Sequence, residues 1–343
     1  MNVDRSLCYW QVSIMLLIAL IVVVGGITRL TGSGLSMVDW RPIMGILPPI
    51  TASQWSEVFT QYQLFPEYSI QNSGMSLGEF KRIFFWEYIH RILGRLIGLS
   101  IILPFIYFEF KKRLSPAMRR NALIMTVLVF AQGLVGWYMV KSGLINIPQV
   151  SHFRLALHLG LALVLLQYCL WTFLTLAQTP RKRHSLQGIM KLWTGALSIQ
   201  IIYGAFTAGL HAGWGYNTYP KMEGEWLPQA ALMATPILKN ILYNPVMIQF
   251  IHRHFAIILC LAFILIWKHL NTTACTDQQK MLSHIVLGLL GLQTLLGIAT
   301  LVLTIPLLLA LAHQFTAVLL LSCAIALIHS MGPLYSRKTC VQK

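Results

Sequence analysis

Apolar residues fall into eight runs along the chain, each close to the ~20 residues that a helix needs to cross a bilayer. Polar segments rich in glycine and proline separate the runs. Because backbone polar groups in lipid must pair within their own segment, the runs predict helices rather than open strands. The predicted helices cover 10–30, 81–108, 122–140, 152–177, 187–211, 247–268, 281–304 and 307–331.

Two long segments between the predicted helices, 31–80 and 212–246, carry turn and capping signals. Thr51 with Gln54 and Ser76 with Glu79 match the capping box that begins a helix. Apolar residues after Thr51 recur at three- and four-residue spacing, which predicts a short amphipathic helix at the membrane interface. These apolar residues are Trp55, Val58, Phe59 and Tyr62, and further aromatic residues suited to an interfacial belt or to a lid are Trp40, Trp214, Tyr216, Tyr219 and Trp226.

Composition agrees with a polytopic membrane protein, since 56% of the 343 residues are hydrophobic and only 10% are charged. Soluble domains carry about 25% charged residues. The net charge of +16 lies mainly in clusters at 111–120 and 181–191 and near both termini, on one side of alternating helices. This distribution predicts cytoplasmic termini and explains the basic charge without nucleic acid. The chain shows neither a cleavable signal peptide nor an import presequence, which favours a bacterial inner membrane.

The second half of the sequence repeats the first. Four sets of residues match, each at its own distance along the chain. The motif IHR at 89–91 matches 251–253 at an offset of 162 residues, and the three sets given next match at offsets of 179, 161 and 155 residues. The matched residues are Gly25, Thr28, Gly34, Trp40, Gly45 and Pro49 with Gly204, Thr207, Gly213, Tyr219, Gly224 and Pro228, then Gln132 and Gly136 with Gln293 and Gly297, then His158 and Ala162 with His313 and Ala317. The pattern predicts an all-α fold of two tandem four-helix bundles related by a parallel internal repeat. The predicted halves are 1–178 and 187–331, followed by a cytoplasmic tail at 332–343.

Four histidines lie at matched depth in the even-numbered predicted helices, two in each half: His90, His158, His252 and His313. Polar groups within a membrane span are costly and usually functional. Structural zinc sites need three or four clustered ligands, and di-iron bundles need several inward carboxylates. Two facing imidazoles instead suit the two axial positions of a heme iron. The four histidines therefore predict two heme sites toward the outer, periplasmic face.

Glu87 breaks the symmetry of the repeat, because the aligned residue in the second half is Gln249. Both lie one turn outward of a histidine on the same helix face. A carboxyl at this position suits proton transfer, whereas an amide cannot titrate. A structural ion pair of Glu87 with Arg82 or Arg91 is the alternative.

Arg154 lies four residues outward of His158 and is a candidate to bind a heme propionate. A snorkelling interfacial arginine is the alternative.

The six cysteines map to helices or to the cytoplasmic side, so the sequence predicts no disulfide in the outer loops. They are Cys8, Cys169, Cys260, Cys275, Cys323 and Cys340.

Six segments spread over nearly the whole chain carry one resemblance. They read GGITRLTGSGLSMVDWRPIMGILPP, EFKRIFFWEYIHRILGRLIGL, FRLALHLGLALV, YGAFTAGLHAGWGYNTYPKMEGEW, MIQFIHRHFAI and LALAHQFTAVLLL. Together they resemble the heme A synthase family, in the branch without a cysteine pair in the outer loop.

The resemblance implies an enzyme that oxidises the C8 methyl group of heme O to the formyl group of heme A, for cytochrome oxidase assembly. It implies a heme b cofactor on His252 and His313, heme O near His90 and His158, and an essential glutamate at Glu87. Expected partners are heme O, membrane lipid and an electron acceptor that the sequence does not identify.

Two other functions are alternatives to the one that the resemblance implies. A di-heme b-type cytochrome would stack its hemes across the membrane, whereas all four histidines here lie toward one face. A transporter built on inverted repeats would flip the topology of each unit, which four helices per unit do not do. The sequence leaves open the oxygen source, direct docking of a heme O synthase, and assembly into a homo-oligomer.

Overall fold

The computed structural model describes residues 4–38, 47–143, 150–177, 179 and 181–333, and within them the regular structure is helical. Among these residues, eight helices are long and apolar enough to cross a membrane. In chain order the α-helices are α1 (Arg5–Leu30), α2 (Ala52–Gln63), α3 (Pro66–Gln71), α4 (Leu77–Phe110), α5 (Pro116–Gly143), α6 (His152–Leu176), α7 (Gln187–Gly209), α8 (Ile237–Tyr243), α9 (Pro245–Thr272), α10 (Asp277–Val302) and α11 (Leu307–Ser330).

The eight predicted spans are confirmed as α1, α4, α5, α6, α7, α9, α10 and α11, with ends that differ from prediction by a few residues. The largest difference is at α5, which begins at Pro116 rather than at 122. The Ser115 side chain accepts a hydrogen bond from the Met118 amide, and proline is well suited to the first helical turn. The apolar pattern marks only the part of a helix that crosses lipid, so helix ends that continue into water are missed.

Both predicted capping boxes are present. Thr51 begins α2 with Gln54 bonded back to it, and Ser76 begins α4 with Glu79 in the same role. The apolar face of α2 packs against the first turns of α4, around the fully buried Tyr62. This contact positions the segment before α4, and with it the outer end of the helix that carries His90.

The described residues divide into two compact units, Ser13–Leu166 and a second that combines Met1–Val12 with Gln167–Lys343. Each unit contains one pair of the four predicted ligand histidines. The repeat and the functional division at 1–178 and 187–331 stay predictions. Trp40, Gly45, Cys340 and most of the predicted tail lie outside the described residues.

Candidate functional site

The first histidine pair joins α4 to α6 within the unit Ser13–Leu166. The ring centroids of His90 and His158 lie 6.3 Å apart. Each ring packs against a glycine of a neighbouring helix: a Cβ on Gly25 would lie 3.1 Å from Cε1 of His90, and a Cβ on Gly136 would lie 2.9 Å from Cε1 of His158. Any larger residue would push the ring aside, so these glycines set the ring positions.

The second pair has the same construction. The ring centroids of His252 on α9 and His313 on α11 lie 6.4 Å apart. A Cβ on Gly204 would lie 3.0 Å from Cε1 of His252, and one on Gly297 would lie 2.8 Å from Cε1 of His313. All four glycines are matched residues of the sequence repeat, which identified them without assigning them a contact.

Both pairs fit a metal held between two imidazoles. Bonds of about 2.0 Å from a metal to each of two facing ring nitrogens place the ring centroids roughly 6 Å apart. Within the described ranges no group of three or more histidine, cysteine, aspartate or glutamate side chains is placed to hold a metal ion. Two ligands leave four equatorial positions to be filled, and a porphyrin fills them. The donor set therefore fits heme iron.

Glutamine side chains contact three of the four histidines, which the sequence interpretation missed. Gln132 donates to the His158 carbonyl at 3.0 Å, Gln200 donates to the His252 carbonyl at 2.7 Å, and the Gln293 amide nitrogen lies 3.3 Å from Nε2 of His313. Each glutamine stands four residues before a glycine that packs on the same histidine, so the pattern Q-x-x-x-G marks them. Before Gly25 the aligned residue is Ile21.

The two pairs differ in what holds the imidazole nitrogens. Nδ1 of His313 donates to the Gln293 carbonyl at 3.1 Å, and Nδ1 of His252 lies 3.1 Å from the Gln200 amide nitrogen. In the first pair, Nδ1 of His90 and Nδ1 of His158 are buried without a hydrogen-bond partner, and only Nε2 of His158 has an amide nitrogen near it, that of Gln132 at 3.4 Å. Partners behind a ligand fix its tautomer and orientation, so the second pair is the more firmly oriented.

Glu87 fastens the loop that follows α1 to α4. Its carboxylate is 3% exposed and accepts hydrogen bonds from the Ser36 hydroxyl at 2.7 Å and the Met37 amide at 2.9 Å. Arg91 forms an ion pair with the same carboxylate at 2.6 Å and also donates to the Met37 carbonyl. The ion pair with Arg91, one of the two considered from the sequence, is therefore present, and it carries a loop contact that the sequence did not predict.

Gln249 occupies the aligned position in the second unit with the opposite hydrogen-bond polarity. Its amide nitrogen donates to the carbonyls of Ala212 at 2.8 Å and Gly215 at 2.7 Å. Arg253 donates to further carbonyls of the same loop, among them Thr218 at 2.6 Å. The loop of the first unit presents donors to a carboxylate, whereas the loop of the second presents acceptors to an amide. A simple exchange of the two side chains leaves neither loop satisfied.

Arg154 lies over the ring of Tyr138 at 4.8 Å, in a cation–π contact.

His254 lies close to the second pair in sequence, but its side chain contacts its own helix, with Nδ1 2.8 Å from the Phe250 carbonyl oxygen. The other histidines within the described residues lie in the first two or last two turns of a helix or between helices: His152, His184, His211, His269, His284 and His329.

Replacing Gly297 tests the glycine contacts. In Gly297→Val the new side chain occupies space held by the His313 ring, so we expect the retained heme to fall by about tenfold, as for loss of support behind a metal ligand. Gly291→Val is the control, because a Cβ there meets nothing within 4 Å. Heme content per chain after purification measures both. Equal heme content in the two variants would contradict the packing role of Gly297.

The fold and the two imidazole pairs fit one class, namely multi-pass membrane proteins whose helical bundles can hold heme iron between paired histidines. The chain belongs to the COX15-CtaA cytochrome oxidase assembly protein family, whose model matches residues 8–325. It is 39% identical over 335 residues to the heme A synthase of Nitrosospira multiformis, covering 96% of this chain and 94% of that protein. It is 40% identical over 323 residues to that of Nitrosomonas eutropha, covering 92% and 91%.

A third relative, the heme A synthase of Brucella ovis, is 39% identical over 331 residues, covering 94% of this chain and 91% of that protein. These relatives confirm the family resemblance that the sequence motifs carried. They also place the chain among multi-pass bacterial membrane proteins. Membership of the branch without the cysteine pair stays a prediction.

Proposed function

We propose that the protein is a heme A synthase, which oxidises the C8 methyl group of heme O to the formyl group of heme A. The observation that carries the proposal is the presence of two imidazole pairs of equal spacing with unequal support. The second pair, His252 and His313, has a neighbour at both Nδ1 atoms and suits a cofactor that stays bound. The first pair, His90 and His158, has none at Nδ1 and suits a substrate that binds and leaves. Relatives named heme A synthase along more than nine tenths of the chain support the same conclusion.

In this proposal His252 and His313 hold heme b, which supplies electron transfer when bound. His90 and His158 hold heme O, and their helices orient it. Glu87 stands three residues before His90 and is the candidate proton carrier for oxidation of the methyl group. Its contacts with the loop after α1 also help to keep water away from that end of the site. The protein thus provides orientation, protonation and exclusion of side reactions.

We further propose that both termini are cytoplasmic and that both heme sites lie toward the periplasmic side of a bacterial inner membrane. The distribution of basic loops supports this orientation. Heme O reaches the site from the membrane, and an electron acceptor completes the reaction. A heme O synthase is a candidate to deliver the substrate directly.

The proposed function is tested by expressing the chain in bacteria that make heme O but lack their own heme A synthase. Extracted hemes are then separated by chromatography. Heme A in the membranes, together with heme B on the purified protein, is the expected result. Two molecules of heme B per chain and no heme A would overturn the proposal and favour a di-heme cytochrome.

Arg154→Leu tests the proposed propionate contact. A guanidinium bonded to a carboxylate contributes about 1.5–3 kcal/mol, so the affinity for heme O should fall by about tenfold or more, and Arg154→Lys should retain part of it. Spectroscopic titration of the purified protein with heme O measures the effect. Unchanged affinity in Arg154→Leu would leave Arg154 as an interfacial residue stacked on Tyr138.

A further inference from the structure

An apolar groove of about 590 Å³ lies between α4 and α5 in the unit Ser13–Leu166. Glycines form its floor, and larger apolar side chains form its walls. A Cβ on Gly98 or Gly133 would meet no other atom within 4 Å, so the absence of side chains at these positions leaves the space open. The residues that define the groove are Gly94, Gly98, Gly133, Phe130, Leu134 and Trp137.

The groove begins at Gly94, one helical turn after His90 on α4. His90, Gly94 and Gly98 are spaced by four residues and therefore share one face of α4. On α5, Gly133 follows Gln132, which donates to the His158 carbonyl. From Gly94 to Ile102, the last groove residue on α4, eight residues of helix span about 12 Å. The groove thus extends about 12 Å along α4, starting one turn from His90.

The second unit closes the equivalent space. The residues aligned with Gly98 and Gly133 are Cys260 and Thr294. Their side chains touch, with Sγ of Cys260 3.4 Å from Oγ1 of Thr294. The wall residue Phe130 is also missing there, because the aligned residue is Gly291. Beside the pair assigned to heme b, two side chains in contact thus occupy the positions that are glycines in the first unit.

We propose that this groove binds the long isoprenoid chain of the substrate heme. The inference rests on the proposed function, since heme O carries a farnesyl chain at a ring position where heme b has only a vinyl group. An apolar channel beside one histidine pair and a closed contact beside the other match this chemical difference between the two porphyrins.

The groove has a specific task that two axial ligands do not perform. Two imidazoles fix the iron but leave the porphyrin free to turn about the line that joins them. A chain held between α4 and α5 removes that freedom, so the same edge of the ring always faces the same protein groups. Lipid tails are as apolar as the groove, so moving the isoprenoid chain from lipid into the groove gains little hydrophobic free energy. The groove instead contributes close packing around the chain and a fixed orientation of the porphyrin. Gly98 and Gly133 are therefore specificity-determining residues.

The double substitution Gly98→Cys/Gly133→Thr gives the first unit the side chains of the second and is the direct test. The full-length protein, purified with its tightly bound heme, is titrated with heme O and, separately, with heme B. We expect the dissociation constant for heme O to rise by about tenfold, while that for heme B and the content of bound heme stay unchanged. Gly98→Ala alone should give a smaller rise in the same direction.

The matched control is Gly288→Cys/Gly291→Thr on α10, where a Cβ at either glycine meets nothing within 4 Å. It should leave both dissociation constants unchanged. Equal weakening of heme O and heme B by the groove variant would overturn the proposal, because the change would then act on the ring. No weakening of either would also overturn it and would assign the groove to a lipid acyl chain.

Production of heme A by the wild-type chain separates this inference from the proposed function. A wild type that makes heme A, with a groove variant that still prefers heme O over heme B, would refute the groove assignment alone. A wild type that makes no heme A and shows no preference for heme O would refute the proposed function and the groove assignment together.

Discussion

His252→Ala and His313→Ala should each abolish stable binding of the b heme. Removal of one imidazole leaves the iron with a single axial ligand and opens a cavity against the supporting glycine, Gly204 or Gly297. We expect the low-spin heme spectrum of the purified protein to fall by at least about tenfold. The measurement is the reduced-minus-oxidised absorption spectrum, scaled to heme extracted per chain.

His254→Ala is the control for these substitutions, because His254 lies two residues from His252 but bonds within its own helix. It should retain the full spectrum. His90→Ala should also retain the b heme while it loses affinity for heme O. A normal low-spin spectrum in both His252→Ala and His313→Ala would refute the cofactor site.

Glu87→Gln should produce a protein that inserts, binds the b heme and accumulates heme O or a hydroxylated intermediate in place of heme A. General acid–base catalysis contributes about 10²- to 10⁴-fold, so the yield of heme A should fall by at least about 100-fold. Chromatography of hemes from cells without a native synthase measures the yield. A wild-type yield from this variant would refute the proton-carrying role and leave Glu87 as an ion-pair partner of Arg91.

A second variant separates the loss of the hydrogen bond between Glu87 and the loop after α1 from the loss of the carboxyl group of Glu87. Ser36→Ala removes the 2.7 Å hydrogen bond to Glu87 while it keeps the carboxylate and its ion pair with Arg91. If proton transfer is the task of Glu87, this variant should keep most of the heme A yield. A loss as large as that of Glu87→Gln would instead assign Glu87 to positioning of the loop.

The reverse substitution, Gln249→Glu, should not create a second reaction site. It sets a carboxylate against the carbonyls of Ala212 and Gly215, which accept hydrogen bonds and cannot donate them. We expect a less stable protein with less bound heme, visible as a lower unfolding temperature. A stable variant with full heme content would show that Arg253 alone holds this loop.

The eight spans, both capping boxes and the four histidines could be predicted because each leaves a local pattern in the sequence. Hydropathy runs, Ser76 with Glu79, and histidines at matched depth need no knowledge of neighbouring helices. The contacts that support the histidines could not be predicted in this way. In the sequence, Gln200 is one polar residue among others in α7, and only the fold brings it into contact with His252. The groups that donate hydrogen bonds to Glu87 belong to a loop 50 residues earlier in the sequence. A periodic pattern does not show which distant residues come into contact.

The groove shows the same limit more sharply. Glycines in membrane helices often allow close approach of helices, yet the structure leaves open space beside Gly98 and Gly133. Whether a small residue brings two helices together or leaves a channel depends on side chains elsewhere on both helices. The aligned residues of the second unit, Cys260 and Thr294, have side chains that touch, and this difference appears only when the two units are compared.

Ile21 stands where three other positions of the two bundles have a glutamine behind a histidine, so His90 lacks an amide neighbour that the other three imidazoles have. On the proposed function, substrate and product are both hemes and differ at a single ring carbon. Such an enzyme turns over only if one porphyrin departs after every reaction while the other stays for the lifetime of the protein. We therefore expect the weaker support of His90 to let a heme on the first pair exchange faster than the heme on the second pair.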